Sequence, residues 1–264
     1  MEAVDVMNRF AEVESLQELD MGDWSGWIDR LGAGASLSRE EFEYLLRLGD
    51  FFWQYKGEPS PERPHALLAS GRHSDLYINV GQALKDHIGF RMLCARAVME
   101  AVRGNLSQGS SRYCVIGTAT SATDLAVALA WLMGLHGYAA RSIPLEKVPL
   151  DDRTSTQRWI EGQVIEEGEQ VLHIEELVTT AGSAFKLRNA VQYAHSIAIP
   201  FVPVLPVLVD RSNPQVKEVD SSTVVPVFRY DNVGVWELDG CPYCQAGSEA
   251  VRPKDNWAEL TGNE

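Results

Sequence analysis

The chain has 264 residues, 45% of them hydrophobic, and its 23 basic against 37 acidic side chains leave a net charge of −14. That length can bury the core of one large α/β domain with extensions or of two small domains, while the acidity argues against nucleic acid or an anionic membrane as a partner. With no run of about 18 apolar residues to span a bilayer, no signal-peptide pattern, and too few cysteines for a disulfide scaffold, a cytoplasmic protein with no membrane partner is expected.

Residues 1–66 read as an N-terminal helical extension. Their first half is acidic and carries Trp24 and Trp27 beside glycines, which suits packing onto a larger body. Ser38 followed by Glu41 is a capping box. Phe42, Leu45, Leu46, Leu48, Phe52 and Trp53 follow at roughly helical spacing, up to a turn at residues 57–61. Ser70-Gly71-Arg72 is a turn and residues 75–79 a short strand, and residues 86–103 make a helix with an apolar stripe.

Residues 113–117 form a buried strand, Thr118, Ala119, Thr120, Ser121 and Ala122 a small-residue turn, and residues 124–133 a helix. Residues 138–143 are the next strand. Residues 144–162 then make a polar loop carrying Lys147, Arg153 and Arg158.

The central stretch is Val171-Leu-His-Ile-Glu-Glu-Leu-Val-Thr-Thr-Ala-Gly-Ser183. An apolar strand ends in two carboxylates, and a turn of small and hydroxyl residues leads into an amphipathic helix. Unpaired N–H groups and the positive helix end make such a turn an anion cradle. Val178, Thr179, Thr180, Ala181, Gly182 and Ser183 are therefore the candidate phosphate site. Glu175 and Glu176, acceptor-only groups just ahead of it, suit the hydroxyls of a ribose whose 5′-phosphate sits in the turn. An ordinary βα turn with a solvated acidic edge is the plainer reading.

Past it, residues 201–209 are an apolar strand broken by Pro203 and Pro206, which suits a sheet edge. Asp210-Arg211 follows it, and residues 224–230 are another strand. The C-terminal tail, residues 231–264, holds Cys241-Pro-Tyr-Cys244 with Gly247 nearby, half of a zinc site. A second half could come from another copy of the chain, or the pair is a dithiol or idle.

The central stretch resembles the phosphoribosyl pyrophosphate (PRPP) motif of type I phosphoribosyltransferases, and Ser70, Gly71, Arg72, Ser74, Tyr77 and Asn79 resemble the N-terminal segment of the orotate branch. The resemblance covers residues 67–230. It implies an α/β fold with a mainly parallel twisted sheet, helices on both faces and a small hood. It also implies a glycosyltransferase that moves ribose 5-phosphate from Mg2+-bound PRPP to an orotate-like base with release of pyrophosphate, in pyrimidine nucleotide metabolism, as a homodimer.

On that resemblance Thr118–Ala122 is the pyrophosphate loop. Lys147, with Arg158, assists departure of pyrophosphate from a mobile loop, although a solvated connection is the other reading of that segment. Arg72, Tyr77, Asn79 and Arg211 contact the base, a salt bridge at a chain reversal being the alternative for Arg211. The chain departs from the pattern in having Ala69 where a lysine is usual, Glu176 for aspartate, few glycines in the pyrophosphate loop and no histidine in the mobile loop. Those departures motivate a second expectation, a non-catalytic PRPP or nucleotide sensor or accessory protein.

Overall fold

A computed structural model describes residues 8–22, 24–32, 34–109, 111–120, 122–150 and 155–262. Ser121 and Arg153, named above as site residues, lie outside them.

Among the described residues the framework is a six-stranded sheet. Its order is Glu218–Val219, Ser222–Arg229, Val204–Asp210, Glu169–Val178, Arg112–Gly117 and Ala139–Ser142. The first strand is antiparallel and the other five run parallel. Period-two alternation sends successive side chains to opposite faces. Tyr113, Val115, Leu172 and Ile174 pack with the helices Ile88–Val102 and Thr123–Leu135, whereas Cys114, Ile116 and Val171 pack with Leu187 and Val191 of the helix Gly182–Tyr193. Burial on both faces explains why these strands read as continuous apolar runs.

The N-terminal residues share that core. Phe10, Leu16 and Leu19 are fully buried in the same cluster as Phe90 and Leu93. Asp20 accepts from the Gly89 N–H at 2.8 Å and meets His87 Nδ1 at 2.8 Å, so the helix Leu16–Met21 caps the helix Ile88–Val102. At Gly89 a Cβ would collide with the Leu19 backbone.

Three expectations are corrected. The helix after Ser38 ends at Leu48; Phe52 and Trp53 belong to a strand, Phe52–Gln54, paired with Leu76–Ile78, because Gly49 and Asp50 (φ +59) turn the chain first. The strand Val204–Asp210 is interior, not an edge, and all seven of its residues are buried. Its prolines are tolerated because Pro203 precedes it and the ladder to the central strand begins only at Val207. The 144–162 segment contains a β-hairpin, Glu146–Pro149 with Ser155–Arg158.

A second sheet forms the hood, in the order Val235–Trp236, His73–Ser74, His65–Leu67, Ala250–Val251. It unites residues from both sides of the main sheet's sequence. No helix of the described residues is long and apolar enough to cross a membrane.

Candidate active site

The chain leaves the strand Arg112–Gly117 for one side of the sheet and returns on the other as Glu169–Val178. Ligands of open α/β sheets gather at such a reversal, beyond the carboxyl ends of the strands. Thr118–Ala122, Thr179–Ser183 and Arg211 all follow strands that end there.

A cleft of about 630 Å3 opens at this edge, lined by Thr179, Thr180, Arg211, Tyr77, Arg72 and Ala69 among others. A second, of about 820 Å3, shares Tyr77, Ala69, Leu177 and Arg211 with it and adds Glu176, Asn79, Lys147, Thr120, Lys85 and Lys254. The shared residues make the two clefts neighbouring halves of one site.

The phosphate turn is exposed at Thr179, Thr180, Gly182 and Ser183, while Val178 and Ala181 are buried beneath. Ala181 takes the left-handed conformation (φ +59) and Gly182 begins a twelve-residue helix. Helix geometry leaves the first N–H groups without intrahelical acceptors, and the helix dipole makes that end positive. The turn faces the first cleft through its two threonines.

The paired glutamates separate. Glu176 is half-buried and faces the second cleft; Glu175, one residue earlier on an extended strand, points to the opposite face and is 1% exposed. Both were expected to hold ribose, but only Glu176 faces the cleft; Glu175 does not reach it. Glu175 instead accepts a short hydrogen bond from Thr118 Oγ1 and meets His173 Nε2 at 3.1 Å. Arg188 Nε donates to His173 Nδ1 at 3.2 Å. Burial pushes the Glu175 carboxyl up to about 8, and burial with the nearby Arg188 charge pushes the His173 imidazolium well below its usual range. A neutral His173 is the tautomer that accepts from Arg188 and donates to Glu175, so these side chains brace the central strand against the helix behind it.

The loop after Gly117 is only partly open. Thr118, Ala119 and Ala122 are buried, leaving Thr120 on the cleft. Gln157 of the hairpin accepts from the Ala119 N–H at 3.0 Å and donates to its carbonyl at 3.1 Å. Among the described residues of the expected pyrophosphate loop, Thr120 brings the one exposed hydroxyl to the cleft, and the Ala119 peptide is already paired. Gly117 is required beneath it, since a Cβ there would collide with the Ala122 carbonyl.

Of the two hairpin cations, Lys147 reaches the cleft. Arg158 does not line it and pairs with Glu146 at 2.7 Å, which corrects the role expected of it. Sequence reasoning missed Lys85 and Lys254, which bring two more positive charges to the second cleft. Lys85 sits one turn past Gly81 in the helix Val80–Asp86; Lys254 belongs to the tail, 76 residues beyond Val178, the last strand residue before the turn.

Where the two clefts meet, Arg211 Nη1 donates to the Leu76 carbonyl at 3.1 Å, and its buried Nε has no hydrogen-bond partner among the described residues. Asp210 pairs with Arg229 at 2.6 Å, so the salt bridge at this reversal does not involve Arg211. Arg72 pairs with Glu237 of the hood at 2.7 Å. Cys241 and Cys244 lie outside both clefts, against His65 and His73.

No family model matches the chain. Orotate phosphoribosyltransferase of Acidithiobacillus ferrooxidans is 28% identical over 200 residues, spanning 75% of this chain and 92% of that one. By sequence, the chain is similar to curated orotate phosphoribosyltransferases over about three quarters of its length. The corresponding protein of Pelotomaculum thermopropionicum is 29% identical over 189 residues, covering 72% of this chain and 87% of its own. Among solved structures, orotate phosphoribosyltransferase of Francisella tularensis matches at 16% identity and TM-score 0.38 over 63% of this chain and 79% of that one. Hypoxanthine phosphoribosyltransferase of Trypanosoma cruzi matches at 14% identity and TM-score 0.38, over 58% and 80%.

Proposed function

We propose that this chain is a phosphoribosyltransferase of the orotate branch, transferring ribose 5-phosphate from PRPP to an orotate-like base. The observation that supports the reading is the exposed Thr179–Ser183 turn opening onto a cleft that holds the carboxylates Glu176 and Asp124 and a set of cations.

In this reading the turn's N–H groups and hydroxyls bind the 5′-phosphate, and Glu176 accepts hydrogen bonds from the ribose hydroxyls. A ring nitrogen of the base attacks C1 as the C1–O bond breaks, and the leaving pyrophosphate takes the bonding pair. Lys147, Lys85 and Lys254 surround the growing negative charge. Arg211, with its unpaired Nε, and Tyr77, Asn79 and Arg72 receive an anionic base.

Magnesium fits the oxygen donors of this cleft, Glu176 and Asp124, better than any all-protein cage. Bound to PRPP, it supplies neutralisation of pyrophosphate charge. A homodimer and a cytoplasmic location are part of the same proposal, and light scattering and cell fractionation test them.

A binding-only protein is the second reading, favoured by Gln157 filling the Ala119 peptide and by Ala69 facing the cleft without a charge. A pyrophosphate-release assay with Mg2+, PRPP and a panel of bases separates the two. Release with orotate or a related base supports the transferase; PRPP binding without release under any base supports the sensor and contradicts the enzyme.

A further inference from the structure

The Cys-x-x-Cys pair in the tail has a complement that lies nowhere near it in sequence. His65 and His73, 176 and 171 residues away from Cys241 and Cys244 respectively, come from two antiparallel neighbours of the hood sheet, where Leu67 stands opposite His73. Cys241 precedes the short helix Pro242–Gln245 and Cys244 sits within it, so one turn presents both sulfurs to the same side. Cys241, His65 and His73 are buried and Cys244 is half-buried.

The four ligand atoms all lie within 4.8 Å of one another. His65 Nε2 is 3.5 Å from each sulfur, His73 Nδ1 is 3.3 Å from Cys244 Sγ, and the two nitrogens are 2.7 Å apart. A tetrahedral zinc with Zn–S of about 2.3 Å and Zn–N of about 2.0 Å has sulfur–nitrogen edges of roughly 3.5 Å and a nitrogen–nitrogen edge of roughly 3.3 Å. These three sulfur–nitrogen spacings already match, and opening the imidazole pair by about half an ångström brings the nitrogen–nitrogen edge to the tetrahedral value.

The surroundings are those of a built metal site. His65 Nδ1 is 2.8 Å from Ser248 Oγ, and that hydroxyl donates onward to the Arg63 carbonyl at 2.6 Å. Nδ1–H is thereby the donor and Nε2 keeps its lone pair toward the sulfurs, the outer support that fixes a ligating histidine. Tyr243 stacks on the His65 ring at 5.4 Å and meets Tyr55 in a tilted contact at 4.4 Å, covering one side of the cluster.

We propose that His65, His73, Cys241 and Cys244 bind one structural zinc ion that locks the C-terminal knuckle onto the hood. Two thiolates offset the charge of Zn2+, and their protons pass to solvent on binding. Four protein ligands leave no open position, so the ion holds structure and does no chemistry. Its place beside the strand His73–Ser74, which follows Arg72 and leads to Tyr77, makes it the clasp of the hood.

The test measures metal in the full chain and is independent of any transfer activity. Mass spectrometry of metal content in protein purified from zinc-supplemented cells is expected to give about one zinc per chain, falling below a tenth in Cys241→Ser/Cys244→Ser. Replacement by Co2+ in the unaltered chain is expected to give the intense visible bands and sulfur charge-transfer absorption of tetrahedral S2N2 coordination, which needs no folded variant. Zinc-free protein, undiminished zinc in the double variant, or a weak octahedral cobalt spectrum overturns the proposal.

Discussion

Gln157 grips the Ala119 peptide from both sides, accepting from its N–H at 3.0 Å and donating to its carbonyl at 3.1 Å. The hairpin is thereby stitched to the loop after the strand Arg112–Gly117. Gln157→Ala leaves both buried peptide groups without partners, and leaving such groups unsatisfied costs about 1–3 kcal/mol. Denaturant titration is expected to register that loss, and hydrogen exchange is expected to accelerate at residues 118–120. Unchanged stability and exchange would mean that the hairpin is not anchored by this contact.

Ala181 holds a left-handed conformation, φ +59, at the heart of the phosphate turn. For an L-residue that conformation costs about 1–2 kcal/mol, part of which glycine's larger unfolded entropy offsets. Ala181→Gly is therefore expected to stabilise the chain by roughly 0.5–1 kcal/mol in thermal unfolding. A destabilised variant would show that the Ala181 methyl, buried against Leu205 and Val207, matters more than the strain.

The buried Glu175 carboxyl titrates above its usual 4.5, at about 8. The folded state keeps this proton where the unfolded state has lost it. Its contribution to stability is therefore full below pH about 4.5 and is lost as pH rises through about 8. His173 opposes this trend, since its depressed pKa favours folding above the ordinary histidine range. Comparison with Glu175→Gln cancels that common part: the stability of wild type relative to the variant should fall between pH 5 and about 8. Parallel profiles would contradict the assignment.

Arg211 lines the cleft and is tied to the Leu76 carbonyl by Nη1, while its buried Nε has no partner among the described residues. Under the proposed function Arg211→Gln should raise KM for an anionic base by about 10- to 100-fold, the worth of a charge-assisted hydrogen bond. PRPP affinity should stay within about twofold, because the turn and Glu176 are untouched. Equal losses for both substrates, measured by steady-state kinetics and titration, would place Arg211 elsewhere in the mechanism.

The strand, turn and helix over residues 169–193 were legible because each signal is local: apolar run, small-residue turn, amphipathic periodicity. The split between Glu175 and Glu176 also follows from period two, once the strand is known to continue through both to Val178. Strand order was not legible, so Pro203 and Pro206 suggested an edge where the structure has an interior strand. Pairing with Ser222–Arg229 on one side and a ladder that starts late on the other absorb the missing donors. The contacts of Gln157 with Ala119, of Lys254 with the cleft and of His65 with Cys241 span 38 to 176 residues, beyond any local pattern.

Calorimetric titration of Mg2+-PRPP into wild type and Glu176→Gln tests the shared core of the account most directly. A single site per chain is predicted for wild type, with affinity at least tenfold weaker in the variant, the loss of one charged acceptor. No binding to wild type, or equal affinity in the two proteins, would contradict it.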